Sequence, residues 1–288
     1  MTVLVTWNVQ CGLGVDGRVD LRRIAETVCA PDVPDILCFQ EIARGMPELD
    51  GGRGEDQVAV LSDLFPDHTA VFGPAIDRAG MEGRRRQLGN LVLSRPDVLQ
   101  IFRHMLPQPA DRNVAHMPRQ AVEVVVAAPW GPLRVLTTHL EFHSERQRLA
   151  QASRLRALQA EVRDNARSPA AAPLDGPYAH APRPESAVFA GDFNALPDDD
   201  AYARFLEPAD DATVLLDAWR TRHGGDEHAA TCGIYDSAQW PQGPHCRDYV
   251  FITSDLQDRI VELEVDGETA ASDHQPLRLV LADRLPRQ

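Results

Sequence analysis

The sequence contains no lysine. All 29 of its fixed side-chain cations are arginines, set against 43 aspartates and glutamates, for a net charge of −14. A protein that grips nucleic acid without regard to sequence presents a basic face, because phosphate contacts supply most of that affinity. The overall balance therefore argues against an extended nucleic-acid surface and leaves room only for a local arginine patch. No apolar run approaches the roughly 18–20 residues that a helix needs to cross a bilayer, so no helical membrane span is expected. The opening residues, Met1 to Asn8, lack the basic stretch and small-residue cleavage site of a secretion signal and read as a strand. The five cysteines (Cys11, Cys29, Cys38, Cys232, Cys246) are odd in number and scattered, which fits reduced thiols better than a disulfide framework. Together these features lead to the expectation of a cytoplasmic protein. No internal repeat is found.

What is present is ordinary for a globular chain: 43% hydrophobic and 25% charged residues, enough for a substantial core. At 288 residues the chain is long enough for two domains or one large α/β domain. Short apolar runs alternate with helical patterns. Val3–Trp7, Ile36–Phe39, Thr69–Phe72, Leu91–Leu93, Val98–Arg103, Ala121–Ala127, Leu133–Thr138, Ala187–Ala190, Tyr249–Thr253, Ile260–Val265 and Leu277–Leu281 read as strands. Asp20 is placed to cap a helix whose Leu21, Ile24, Ala25 and Val28 share one face, and a shorter helix is expected over 56–65. Gly73-Pro74 is expected to end a strand and 74–88, with Arg84-Arg85-Arg86, to form a turn-rich loop. Ser144-Glu145-Arg146-Gln147 matches a capping box before a helix with an apolar stripe of Leu149, Ala152, Leu155, Leu158 and Val162. Residues 168–186, rich in Pro and Ala, read as a long surface loop. Strands from both halves are needed for one core, so 1–288 is expected to be a single domain.

The polar residues fall where the strands end. Asn8 and Gln10 alternate with apolar neighbours, as do His139, Glu141 and His143, and Asp192 and Asn194 lie on either side of Phe193. Gln40-Glu41 closes a buried strand, and Arg247-Asp248 and Ser272-Asp273-His274 lie near the C-terminus. Taken singly, each cluster has a structural explanation as a turn residue or a solvated rim. Six clusters of carboxylate, amide and imidazole groups near strand ends point to a site, because α/β folds place active sites where loops leave the strands. A second cluster, His228, Cys232, His245 and Cys246, has its last two members adjacent, which makes tetrahedral zinc closure awkward.

The order of these motifs resembles the endonuclease/exonuclease/phosphatase superfamily, the deoxyribonuclease I-like fold. The matching segments are Thr-Trp-Asn-Val at 6–9, Gln-Glu at 40–41, Gly-Asn-Leu-Val-Leu-Ser-Arg at 89–95 and Thr-His-Leu at 138–140. They continue with Gly-Asp-Phe-Asn at 191–194, Asp-Tyr-Val-Phe at 248–251 and Ser-Asp-His at 272–274. The resemblance implies an α/β (α+β) fold, a four-layered sandwich of two packed mixed β-sheets flanked by helices. It also implies divalent-metal-dependent hydrolysis of a phosphate ester, in the first place a phosphodiester. In that reading Glu41 and Asp273, with Asn8, hold Mg²⁺ or Mn²⁺, and Asp192 activates or positions water. His139, Asn194 and His274 stabilise charge on phosphorus, and Asp248 orients His274 and raises its pKa. Asn8, Asn90, Asn194 and Arg119 are the candidates for contact with substrate phosphate.

Two features qualify the match. Gln10 stands where apurinic endonucleases of the family often carry an acid, which shifts the cation onto Glu41. Asp273 and His274 are adjacent, so both serve one site only on irregular backbone. Arg84–Arg86 could overhang the site, Glu141 and His143 could extend it, and Asp198-Asp199-Asp200 read as first-turn helix acids. The expected partner is a phosphate ester, a small molecule or a short nucleic acid, with no membrane. The alternatives are a metal-dependent endo- or exonuclease on DNA or RNA, and a non-catalytic phosphate-binding protein that kept the fold.

Overall fold

The computed structural model describes residues 1–49, 51, 53–168, 175–207, 214–225 and 227–285. Its strands in chain order are β1 (Thr2–Asn8), β2 (Ile36–Arg44), β3 (Thr69–Ala79), β4 (Arg85–Ser94), β5 (Val98–Met105) and β6 (Gln120–Ala128). They continue with β7 (Gly131–His139), β8 (Ala187–Asp192), β9 (Leu215–Asp217), β10 (Asp248–Thr253), β11 (Ile260–Val265) and β12 (Leu277–Leu281). The helices are α1 (Leu21–Val28), α2 (Gln57–Leu64), α3 (Glu145–Arg167), α4 (Asp200–Leu206) and α5 (Ala218–His223). The strands form two six-stranded mixed sheets, ordered β11-β12-β1-β2-β4-β3 and β5-β6-β7-β8-β10-β9.

Each sheet contains one parallel pair, β1 with β2 and β7 with β8. A parallel pair cannot be closed by a tight turn and requires a crossover. α1 lies in the first crossover and α3 in the second, and each covers the outer face of its sheet. Strand alternation sorts the side chains into layers. Leu4, Ile36, Cys38, Val92, Val122, Val124, Val135, Val188 and Val250 meet between the sheets. Val5, Trp7, Leu37, Phe39, Leu91 and Leu93 face α1 and α2, and Leu136, Phe189 and Phe251 face α3 and α4. The result is the four-layered α/β sandwich expected from the motif order.

Local signals hold at both helix starts. The Asp20 carboxylate accepts from the Arg23 amide at 3.1 Å, and Ser144 Oγ accepts from the Gln147 amide at 3.1 Å. The second half of the capping box does not form: the Gln147 side chain donates to the Pro109 carbonyl at 3.0 Å and ties a loop to α3. The 74–88 loop is corrected. β3 runs on to Ala79 and pairs with β4 as a long hairpin, with Gly73-Pro74 just before a register shift. Proline is tolerated because β3 is an edge strand with its other side unpaired. On this hairpin Arg85 pairs with Asp77 at 2.7 Å and Arg86 pairs with Glu48, all exposed, so these two arginines form rim ion pairs. Of the 168–186 loop, 169–174 lie outside the described residues; 175–186 hold one short turn and extended chain leading to β8.

On sheet two a buried charge cluster sits beneath the 175–186 segment. Glu123 and Arg134 are fully buried, with Arg134 Nε 2.9 Å from Glu123 Oε1. Arg183 donates twice to the same carboxylate at 2.8 Å, and His104 Nε2 lies 2.8 Å from it. Burial would raise the Glu123 pKa, but Arg183, His104 and Arg134 outweigh it and hold the carboxyl far below the usual range. A carboxylate whose folded pKa is depressed contributes stability above its unfolded pKa and loses it as pH falls. Glu123→Gln is therefore expected to lower unfolding free energy by about 3–5 kcal/mol at pH 7, because it leaves Arg134 buried without its counter-charge. The gap should shrink below pH about 4.3, the unfolded glutamate value, in urea unfolding compared at pH 7 and pH 3.5.

Candidate active site

The site forms where corresponding ends of the two sheets meet. β1 ends at Asn8 beside Gln40 of β2, with Glu41 next; β2 does not close there as the sequence suggests but runs on to Arg44, still paired with β4. In the other sheet His139 stands beside Asp192 in the parallel β7–β8 pair, and Asp248 stands opposite Asp192 across β10. Gly191 makes this approach possible. A Cβ there would lie 2.1 Å from the Thr138 carbonyl oxygen, and its φ of 144° is open to glycine but rarely to L side chains. Glu41 lies within the register shift between Phe39 and Ile42 and has a φ of 58°, and Asn194 a φ of 50°. Two site residues thus occupy left-handed backbone, which persists only where the surroundings determine it.

Asn8 joins the two sheets chemically. Its Nδ2 donates to Glu41 Oε1 at 3.1 Å and to Asp192 Oδ2 at 3.0 Å. Its Oδ1 accepts from the Gln10 amide at 3.1 Å, where the chain leaves the strand in a tight turn. This corrects the expectation of a shared Asn8–Gln10 strand face: Gln10 turns away and its side chain meets Gln239 at 3.3 Å. Asp192 Oδ2 lies 3.3 Å from His139 Nε2 and 3.8 Å from His274 Nε2. Asp192 Oδ1 accepts from the Asn194 amide at 2.8 Å, while Phe193 packs into the aromatic core against Phe251.

His274 Nδ1 lies 2.7 Å from Asp248 Oδ2, which also accepts from Thr231 Oγ1 at 2.6 Å. The backbone at 271–274 is irregular, with one isolated bridge between His274 and Cys232, so adjacent Asp273 and His274 both turn into the site. Burial alone would lower the His274 pKa; the Asp248 and Asp192 carboxylates outweigh it and raise it to about 10. His139 is the reverse. Burial and then the nearby Arg119 charge lower its pKa to about 3, so it is a neutral imidazole. Burial would raise the Asp192 pKa, but the His274 charge and the Asn8 and Asn194 hydrogen bonds keep it below the usual value.

Glu41 and Asp273 behave differently. Burial raises both, and the Asp273 charge adds to the rise at Glu41. Among the described residues the one tight grouping of metal-ligating side chains is Asp192, Asp248 and His274. A protonated His274 already supplies that grouping with its cation, so the carboxylates left wanting positive charge are Glu41 and Asp273. The zinc-like cluster does not close: His228 turns to Asp217 at 2.7 Å, while Cys232 Sγ meets His245 at 3.2 Å.

A cleft of about 530 Å³ brings together Asn8, Glu41, Arg119, His139, Asp192, Asn194, Asp273 and His274. Asn90 is not among its lining. Its amide donates to the Gln120 carbonyl at 2.8 Å and borders a much smaller space behind Arg119 and His139. Arg119 forms a buried ion pair with Glu141 at 3.1 Å, and its Nη1 has no hydrogen-bond partner among the described residues. Glu141 serves as a clamp, accepting also from the Met117 and His143 amides. Asp199 accepts from the Leu196 amide at the start of α4, away from the cleft.

Sequence reasoning missed Gln239 and Trp240, which donate to Asp273 Oδ2 at 2.8 and 3.2 Å. Trp240 also packs edge-on against Phe142 and His274, forming an aromatic wall of the cleft. The available signal was a tryptophan in a Gly- and Pro-rich segment just ahead of Asp248, a weak one because that segment carries no strand periodicity.

Two sandwiched mixed sheets with carboxylates, amides and imidazoles converging at one end define a phosphoesterase-type α/β fold, and comparison with known proteins gives its family. A sequence profile described as the Endonuclease/Exonuclease/phosphatase family matches residues 5–274, and the chain belongs to that family of phosphoester hydrolases. It is similar to an endonuclease/exonuclease/phosphatase from Beutenbergia cavernae (25% identity, 97% of this chain and 71% of that one, TM-score 0.67). The fold is shared with the 3' phosphatase NExo from Neisseria, solved bound to a product DNA hairpin (17% identity, 98% and 100%, TM-score 0.62). It is shared too with the human Nocturnin catalytic domain, solved with a sulfate anion (19% identity, 98% and 94%, TM-score 0.61). No curated protein sequence matches the chain.

The Asp248–His274 pair has a direct test. Asp248→Asn removes the carboxylate that most opposes burial, so the His274 titration, near 10 in the unaltered protein, should fall by about two units or more. NMR titration of the imidazole resonances measures it, and an unmoved His274 would contradict the charge assignment.

Proposed function

We propose that the chain is a divalent-metal-dependent phosphoesterase that cleaves a phosphodiester by attack of a water held by Asp192. The observation that carries this reading is the convergence of Asn8, Glu41, His139, Asp192, Asp273 and His274 on one cleft. The donor set fits a hard cation: two carboxylates, Glu41 and Asp273, that burial and neighbouring negative charge push up, with Asn8 hydrogen-bonded to the first. The two carboxylates would hold Mg²⁺ or Mn²⁺, which supplies Lewis-acid polarisation of a phosphoryl oxygen when bound. Asn8, expected as a ligand, turns its Nδ2 to Glu41 and its oxygen to the Gln10 amide, and so positions Glu41.

The remaining roles follow from protonation and position. Asp192 is ionised and fixed by Asn8, which suits it to accept a proton from the attacking water. His274 is cationic and faces the same carboxylate, so it offsets negative charge developing on the pentacovalent phosphorus. Asp248 holds that imidazole in place, as a carboxylate does in a triad. His139, neutral, contributes a hydrogen bond without adding charge. Arg119 lines the cleft and its buried Nη1 has no partner among the described residues, which suits this guanidinium to a phosphate oxygen. Asn194 lines the same cleft but donates its side-chain amide to the Leu140 carbonyl at 2.9 Å, so it braces the wall, and Asn90 supports that wall from behind.

A compact phosphodiester, small molecule or short nucleic acid, suits a cleft of about 530 Å³ on a chain of net charge −14. The second reading, a nuclease on DNA or RNA, is favoured by the DNA-bound state of the Neisseria neighbour and opposed by the acidic balance. A non-catalytic phosphate-binding protein is the weakest reading, because the full set of ionisable groups is in place. The five free thiols fit a reducing, cytoplasmic setting.

The test is a panel of bis-p-nitrophenyl phosphate, p-nitrophenyl phosphate, single- and double-stranded DNA, RNA and sphingomyelin, with and without Mg²⁺ or Mn²⁺. Turnover of a diester is expected with metal and its loss with EDTA. Asp192→Ala and His274→Ala should each lower kcat by about 10²-fold or more. Full activity in Asp192→Ala, or no metal-stimulated turnover of any substrate, would overturn the reading.

A further inference from the structure

Behind Asp248, on the side away from the cleft, lies a second polar arrangement that the proposed reaction does not use. Asp217, at the end of β9, accepts from the Tyr202 hydroxyl at 2.7 Å and from the Arg220 amide at 3.1 Å. His228 Nε2 lies 2.7 Å from the same carboxylate. An acceptor-only partner places the ring proton on Nε2 and leaves Nδ1 as an acceptor. His228 Nδ1 is buried and has no hydrogen-bond partner among the described residues.

The same holds for one oxygen of Asp248. Its Oδ2 is shared by His274 and Thr231, while Oδ1 is buried with no partner among the described residues. A buried carboxylate oxygen and a buried imidazole nitrogen left unsatisfied would each cost about 1–3 kcal/mol. Both residues line one small cavity, bounded otherwise by Thr231, Val250, Val265, Leu277 and their neighbours. That cavity offers about 10 Å³ to the centre of a water molecule, the room that one water needs. Both orphaned atoms are acceptors, and water is the small molecule that donates to two acceptors at once.

We propose that one buried water bridges His228 Nδ1 and Asp248 Oδ1, making His228 a positioning residue for the Asp248–His274 pair. The chain then runs from Tyr202 through Asp217, His228 and the water to Asp248, His274 and Asp192. It satisfies the second oxygen of Asp248 and fixes the rotation of its carboxylate, so that Oδ2 stays directed at His274 Nδ1. Such outer partners fix the orientation of the groups that act directly. The kinetic consequence rests on the hydrolytic reading above; the water itself does not.

Two substitutions separate the roles of the two ring nitrogens. His228→Asn keeps an acceptor near the Nδ1 position and gives up the Asp217 contact. His228→Gln keeps a donor near the Nε2 position, towards Asp217, and gives up the acceptor for water. On bis-p-nitrophenyl phosphate with Mn²⁺, His228→Gln is expected to lose about 10- to 100-fold in kcat with KM little changed. His228→Asn should be rescued to within about threefold of the unaltered protein. The opposite ranking, or equal losses tracking a fall in Tm, would assign His228 to the Asp217 contact alone and overturn the proposal. A high-resolution crystal structure decides the water without any assay: density within hydrogen-bond reach of both atoms supports it, and a dry cavity overturns it. Absence of turnover by the unaltered protein would count against the hydrolytic reading, while the crystal structure would still decide the water.

Discussion

Everything at the site depends on one shared hydrogen-bond donor, the Asn8 amide. It comes from the first sheet and holds Glu41 of that sheet and Asp192 of the other at once. Two carboxylates brought this close repel, and a neutral amide donating to both lowers the penalty without neutralising either. Other ties run across the same gap. Gln40 reaches Thr137 at 2.9 Å and Asn90 reaches the Gln120 carbonyl, while within the first sheet's own end Ser272 Oγ donates to the Asn8 carbonyl at 2.8 Å. The interior between the sheets is otherwise aliphatic, so these few polar bonds set where one sheet end sits against the other.

The acidic surplus separates into distinct physical roles. Asp192 and Asp248 are balanced from within by His274, and Glu123 by Arg134 and Arg183. Glu41 and Asp273 lack such a partner, which is why burial raises them and why a cation suits them. Having only arginine as a fixed cation matters chiefly inside the fold. Arg134 and Arg119 use planar guanidinium geometry against buried carboxylates, and Arg247 lies over the Phe142 and Trp240 rings beside the cleft.

Strand and helix positions were readable because alternation and the 3.6-residue period leave a direct trace in sequence. The errors fell on short or edge elements and on the far half of β2, which continues past the irregularity at Glu41 to Arg44. β3 continues through Gly73-Pro74 because an edge strand tolerates proline, and β9 with α5 was missed because three- and six-residue elements carry too little periodicity. At the site, Asn8, His139 and Asp192 were identifiable because each closes an apolar strand. Glu41, inside β2, and His274, on the irregular chain ahead of β12, stood out as polar residues beside apolar runs. Gln239, Trp240 and His228 were not identified as site neighbours. Each lies in a loop whose partner, Asp273, Asp217 or Asp248, is distant in sequence or hidden by the turn between them.

The sequence by itself determined where most strands and helices lie and the inventory of ionisable groups, because both follow from local periodicity and residue type. The layer architecture came through the resemblance of its motifs to a known family. The tertiary structure alone decided their charge states. His139 and His274 are the same side chain at similar depth, yet one is held neutral and the other cationic. Asp192 lies near both, so the difference comes from what else was folded against each: Arg119 near the first, the Asp248 carboxylate 2.7 Å from the second. Electrostatic interaction depends on distance and burial, and neither quantity exists until the two sheets close on each other.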